Sequence, residues 1–162
     1  MFASSKTASV SGGYQISRSL RFNSADSPSL GRTPTTTSNQ RTSTLSLWVK
    51  RGTLGAEGRI MANDSSGSAT IFWVLFNSSD QIQIYTNGTG AGLVTTQVFR
   101  DPSAWYHIVV AVDTTQATGT NRIKLYVNGL QVTAFTGTQT YYSLNEDIKF
   151  NSSSFTSYLG FF

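Results

Sequence analysis

His107 is the only histidine in this 162-residue chain, and it stands in the run Trp105-Tyr106-His107-Ile108. A general base needs a nucleophile or a carboxylate held within hydrogen-bond reach. No such partner accompanies His107 in sequence, so its imidazole reads as a group bonded within a sheet. The eight Asp and Glu residues are dispersed, and the one adjacent pair is Glu146-Asp147. Glycoside hydrolysis by retention needs two carboxylates about 5–5.5 Å apart, whereas neighbours along a strand point to opposite faces. No catalytic residue is assigned, and a non-enzymatic protein is expected.

Loop oxygens suited to calcium occur at Asn63-Asp64, at Asp80, and at Asp113 with Asn121. Calcium takes six to eight oxygens, several of them carboxylate, and these positions read more simply as turn formers whose side chains bond their own backbone. The chain has no cysteine, which removes thiolate metal sites and disulfides alike. No metal and no cofactor is expected.

Sugar recognition combines an aromatic surface for the apolar face of the ring with hydroxyl and amide groups for its polar rim. Two places have that composition: Tyr85 beside Thr86-Asn87-Gly88, and Tyr141-Tyr142 beside Gln139 and Asn145. Tyr85, Asn87, Tyr141 and Tyr142 are therefore the candidate glycan-binding residues. The competing reading is a tyrosine that caps the edge of the core with its hydroxyl in solvent. Four Asn-x-Ser/Thr matches, starting at Asn63, Asn77, Asn87 and Asn151, are what chance produces in so hydroxyl-rich a chain.

The elements that would position these residues are short strands. Apolar–polar alternation with turn chemistry between the runs recurs from Ile16 onward, the pattern of a sandwich or barrel. Strands are expected at Ser17 to Asn23 with Leu20 and Phe22 inward, at Thr44 to Lys50, at Ala69 to Phe76, and at Gln81 to Tyr85 after the turn Asn77-Ser78-Ser79-Asp80. Further strands are expected at Leu93 to Phe99, Trp105 to Asp113, Arg122 to Val127, Leu130 to Ala134 and Ser157 to Phe162. The runs Ala69 to Phe76 and Trp105 to Asp113 are apolar on both faces, which suits positions inside a sheet. Asn128-Gly129 carries the clearest local signal, because both central residues of a type I′ hairpin need positive φ. Residues 1–13 read as an extended arm and residues 14–162 as one domain.

Composition agrees with an all-β chain. Charged residues are 12% of it, and Ser plus Thr number 45, so hydroxyls do the solvating that charges usually do. Long helices with exposed faces normally carry far more Glu, Lys and Arg. Three Trp, seven Tyr and ten Phe exclude a disordered chain. The formal charge of +4 comes from 12 scattered Lys and Arg, of which only Lys50 and Arg51 are adjacent. A nucleic-acid footprint needs clustering on one face, so no nucleic-acid partner is expected. The longest apolar run, Ile71 to Phe76, is far short of the roughly 20 residues of a membrane span, and Met1 to Val10 lacks the apolar stretch of a secretion leader. No membrane association is expected.

The segments SLRFNSADSPSLGRTP, LSLWVKRG, WYHIVVAVD and RIKLYVNGLQV, in this order, resemble a laminin-G-like domain of the concanavalin A-like jelly-roll superfamily. The specific part is the Trp-led strand, with His107 two residues after Trp105, followed by the hairpin Leu125 to Gly129. The phrase LVTTQVFRDPSAWYHIVVAVDTTQA is similar to modules of tailed-bacteriophage virion proteins, tail fibres and other surface components among them. The resemblance implies two antiparallel sheets forming a β-sandwich, and a structural or binding role on the surface of a virion synthesised in the host cytoplasm.

On that basis the chain is expected to act through assembly contacts, as capsid decoration or a tail appendage, alongside other virion proteins and further copies of itself. The alternative is an adhesin that recognises host glycans. Domains of this kind usually close with a further strand returning beside the first. After Tyr158-Leu159-Gly160-Phe161-Phe162 that strand is expected either to be absent or to be supplied by the N-terminal arm or a neighbouring subunit, with the edge or the terminal Phe161-Phe162 covered by another chain. Met1, Phe2, Phe161 and Phe162 are the expected assembly contacts.

Overall fold

The computed structural model describes residues 19–64, 72–86 and 91–160. They form two antiparallel sheets packed face to face. In chain order the strands are β1 (Leu30–Arg32), β2 (Thr42–Lys50), β3 (Gly58–Asp64), β4 (Trp73–Phe76), β5 (Gln81–Tyr85), β6 (Ala91–Val98), β7 (Trp105–Asp113), β8 (Ile123–Val127), β9 (Leu130–Gln131) and β10 (Thr156–Leu159). One sheet runs β1-β10-β3-β4-β5-β6 and the other β2-β7-β8-β9. This is the all-β, two-sheet jelly-roll sandwich that the sequence predicts.

Side-chain alternation builds the core. In β7, Tyr106, Ile108, Val110 and Val112 turn inward, and Ile123, Leu125 and Val127 of β8 join them. From the other sheet, Met61, Val74, Phe76, Ile82, Ile84 and Leu93 meet that layer. β7 lies between β2 and β8, as its doubly apolar run predicts, and the Trp73–Phe76 part of the other such run lies as β4 between β3 and β5, residues 69–71 of it being outside the described residues. β5 and β7 have the bounds the sequence predicts. Asn128 (φ 51°) and Gly129 (φ 82°) make the expected hairpin turn.

The fold differs from the sequence reading in four places. Residues 19–23 form no strand, and Leu20 is 69% exposed. A 3₁₀ turn at Ser24–Asp26, tied by Asn23 to Asp26 and followed by Ser27 at φ 45°, ends any extended run there. Phe22 instead lies over Gly160, whose φ is +66° and where an added Cβ would stand 2.3 Å from the Phe22 ring. The first strand is β1, whose short LGR segment has no alternation to reveal it and is held straight by pairing with β10.

β3 is likewise absent from the sequence reading. Its apolar stretch is only Ile60 to Ala62, and its strand character comes from β10 on one side and β4 on the other. The second hairpin arm is shorter than expected, ending at Gln131. The chain then crosses to the other sheet: Ala134 accepts from Thr96 N, and Thr136 N donates to Val94 O, along the β6 edge.

The fourth difference concerns closure. β10 pairs antiparallel with β1 on one side and β3 on the other. The last strand thus already returns beside the first described one, and it is an interior strand instead of the bare edge expected. Among the described residues, β2 and β6 are the long edge strands; residues 134–140 bond along β6, whereas the inward Leu45, Leu47 and Val49 of β2 are only half-buried.

A buried ion pair joins the end of β2 to the β4–β5 turn. Arg51 Nη1 donates to Asp80 Oδ1 at 2.7 Å and to Phe99 O at 2.9 Å, and its guanidinium lies over the Phe76 ring. Asp80 also accepts from Gly55 N at 2.8 Å and from Arg100 Nε at 3.0 Å. These donors, the Gly55 amide first and then the two arginines, hold the Asp80 carboxyl at about 2.

Candidate functional site

The structure brings two of the predicted glycan segments together: Thr86 Oγ1, next to Tyr85, donates to Thr140 O, next to Tyr141, at 3.3 Å. Tyr85 ends β5 on the outer face of the six-stranded sheet, edge-on to Trp73 with ring centroids 5.4 Å apart. Arg59 covers Trp73 with its guanidinium carbon 4.3 Å from the ring centroid, and it donates to Glu57 at 3.0 Å. The Trp73 indole Nε1 is buried without a hydrogen-bond partner. Asn87 lies outside the described residues. Tyr141 is half-buried and packs against the core.

Tyr142 is 3% exposed and belongs to the core. Burial, and secondarily the charge of Glu146, push its hydroxyl well above the ordinary tyrosine range. It offers no surface to a sugar, which corrects the expectation for that residue: in a doublet of tyrosines outside a strand, sequence cannot say which ring turns inward. Met1, Phe2, Phe161 and Phe162 lie outside the described residues, as does the 1–13 arm.

Several of the other singled-out polar groups are engaged in structure. Asp113 accepts from the Thr115 hydroxyl and amide and from Gln116, which lowers its carboxyl from the ordinary value. Asn63 is fully buried and donates to Lys149 O and Ser157 Oγ. Glu146 accepts from Ser143 N, and Asp147 pairs with Arg41. Among the described residues, no group of three or more His, Asp and Glu side chains is placed to hold a metal ion.

The accessible aromatic surface lies on the outer face of the four-stranded sheet. Register sets Trp48 opposite His107 and Lys50 opposite Trp105 across the β2–β7 pair. It also sets Ser46 opposite Val109, and Val109 opposite Tyr126. Trp48 stacks on the His107 ring with centroids 4.9 Å apart and an interplanar angle of 18°. Ser46 Oγ is 3.0 Å from His107 Nε2. His107 is thus bonded across the sheet, as its sequence context suggests.

Trp48 is 50% and Trp105 48% exposed. Along the same face lies a shallow depression of about 540 Å³, lined by Thr42, Thr44, Asp113, Gln116, Asn121 and Lys124 among others. The arrangement is a pair of half-bare indoles one register step apart, fringed by hydroxyls, amides and two lysines. Its chemistry is stacking against an apolar ring face, with hydrogen bonds at the rim. Sequence alternation places Trp48 on the outward side of its strand. That Trp48 and Trp105 become neighbours follows only from the pairing of β2 with β7, whose strands lie more than fifty residues apart in the chain.

A family model of laminin-G type, described as the concanavalin A-like lectin/glucanases superfamily, matches residues 13–156. No curated protein and no solved structure matches the chain. The matched span takes in all ten strands except the last residues of β10, and the family's sandwich is the one these strands build. The chain belongs to the laminin-G group of the concanavalin A-like lectin/glucanases superfamily.

Proposed function

We propose that this domain is a non-enzymatic carbohydrate-recognition module, and that it binds sugar on the outer face of the four-stranded sheet. The observation that carries the reading is the half exposure of two tryptophans, Trp48 and Trp105, held one register step apart on a rigid strand pair. A monomeric surface has little reason to leave two large indoles bare side by side. Trp73, by contrast, is already covered by Arg59. Ser46 and Lys50, on the same face of β2 as Trp48, supply donors and acceptors beside the indoles. Membership in a superfamily that includes lectins supports the reading without assigning a ligand.

The test is binding of the purified domain to an array of neutral and acidic polysaccharides. Trp48→Ala and Trp105→Ala should each weaken the retained ligand at least tenfold, since truncating a central aromatic anchor costs upward of about 2 kcal/mol. Trp48→Phe should keep most of the affinity. Unchanged binding in both alanine variants overturns the assignment to this face.

A second reading, a structural component of a tailed-phage virion surface, draws support from the resemblance of the Leu93–Ala117 stretch to virion modules. The half-buried Leu45, Leu47 and Val49 at the β2 edge add to it, as a place for another chain to pack. It expects light scattering to show a defined oligomer that dissociates when residues 1–13 are removed. A monomer in both forms counts against it.

A further inference from the structure

Bulges, prolines and mid-strand charges are what usually keep sheet edges from pairing with one another. β2 has none of them. Its 9 residues pair with β7 in unbroken register, it contains no proline, and its one charge, Lys50, stands at its end. Among the described residues, no strand lies on its other side.

The free side is set by hydrogen-bond phase, because an edge strand turns alternate residues toward its neighbour. Arg41 O accepts from Thr114 N at 2.9 Å, and the β2–β7 register carries that phase along the strand, so Ser43, Leu45, Leu47 and Val49 bond to β7. The backbone groups of Thr42, Thr44, Ser46, Trp48 and Lys50 therefore face outward from the edge. His107, opposite Trp48, agrees with this phase, since its amide and carbonyl are both taken by Asn128 on the β8 side. Thr42 N turns instead to Asn39 Oδ1, at 3.2 Å.

This edge is complementary to itself. A two-fold axis through Ser46 sets two copies of β2 antiparallel, with Ser46 opposite Ser46, Thr44 opposite Trp48 and Thr42 opposite Lys50. Every one of those pairs has its bonding groups on the shared side. On the inward face, half-buried Leu45 meets Leu47 of the other copy. On the outward face, Thr42 lies opposite Asp113, so Lys50 of one copy shares a row with Asp113 of the other across one small threonine. The row of Thr44 and Ala111 receives the other copy's Trp48, and those two residues help line the shallow depression of about 540 Å³. Opposite charges are brought into line and no like charges are set directly opposite each other.

We propose that this protein forms a two-fold dimer through β2, joining the two four-stranded sheets into one continuous sheet across the axis at Ser46. Such an interface is isologous and closes on itself. It needs no ligand, and so holds or fails apart from the carbohydrate assignment.

The experiment is sedimentation equilibrium of the full chain, without sugar, from about 1 µM to about 500 µM. The mass should rise from that of one chain toward that of two. Ser46→Lys and Ser46→Glu each set like charges face to face on the axis. Each variant alone should stay monomeric with the native circular dichroism spectrum, and their equimolar mixture should dimerise again. In the native chain, which depends on no variant folding, amide exchange at Thr44, Ser46 and Trp48 should slow at least tenfold between the two ends of the range. A native chain that stays monomeric with these amides exchanging fast overturns the proposal. A monomer in which they exchange slowly at every concentration would place the chain's own residues 1–18 on β2 and overturns it as well. A dimer that persists in both charge variants, or a mixture that does not re-form it, removes the axis from Ser46.

Discussion

At the scale of single residues, Asp80 shows how a few charges matter in a chain that has few. Its partner Arg51 has a side chain only 2% exposed, while Arg100, on the other carboxylate oxygen, is 63% exposed. A buried guanidinium that loses its counter-charge is left desolvated and unpaired, whereas an exposed one returns to water. Asp80→Asn should therefore lower the melting temperature far more than Arg100→Gln, as read by thermal unfolding followed by circular dichroism. The folded-state value of Asp80 lies near 2, below the ordinary 3.8. The stability this supplies is fully present above the unfolded value and is lost as pH falls from about 4 through about 2. Asp101 and Asp113 are lowered as well, chiefly by the Ser103 and Thr115 hydroxyls, so they act in the same direction. An acid titration of the melting temperature should fall across that window in the native chain. It should fall less in Asp80→Asn; an equal fall in both would remove Asp80 from the account.

At the scale of elements, the β8–β9 hairpin is anchored by its own turn. Asn128 N donates to His107 O and Asn128 Oδ1 accepts from His107 N, both at 2.8 Å. The asparagine thus does two things: it tolerates φ 51°, and its side chain prolongs the β7 ladder by one rung. Asn128→Ala gives up that bond and places a less tolerant residue in the left-handed region, for a cost of about 1–2 kcal/mol in denaturant unfolding. Because His107 carries the stacked Trp48 ring, the same change should also alter tryptophan fluorescence. Asn128→Gly, which restores the backbone freedom but not the side-chain bond, should recover part of the stability and not the spectrum. A full recovery of both would show that the side-chain bond has no part in placing the ring.

At the scale of the whole molecule, burial of apolar side chains between two sheets is the main source of stability. Three of the four ion pairs described have a partner that is about half exposed or more. Pairs of that kind contribute little and are screened by salt. Near neutral pH, raising sodium chloride from about 0.05 M to about 0.5 M should move the melting temperature by no more than about 2 °C. A larger shift would mean that surface electrostatics do more for this hydroxyl-covered protein than its sparse ion pairs account for.

Much of this protein was legible in one dimension. Alternation places β2 and β5, whose bulky inward set repeats every second residue, and a long β-branched run apolar on both faces places β7. Asn128-Gly129 marks its turn because few other residue pairs accept two positive φ values in succession. Trp48 is read as outward from the alternation of β2, and His107 as bonded within the sheet because no catalytic partner accompanies it in sequence. Tertiary structure decided the rest. β1 and β3 are strands because β10 lies between them, and a three-residue LGR or a GRIMAND run carries no periodicity to announce that. The same pairing places the last strand inside a sheet, where the sequence points to an open edge. Tyr142 went to the core and Tyr85 to a face already shared with Trp73, since packing chooses which of several similar rings is buried. The Trp48–Trp105 surface joins residues more than fifty positions apart. Such sites arise from register between distant strands, which local sequence does not encode.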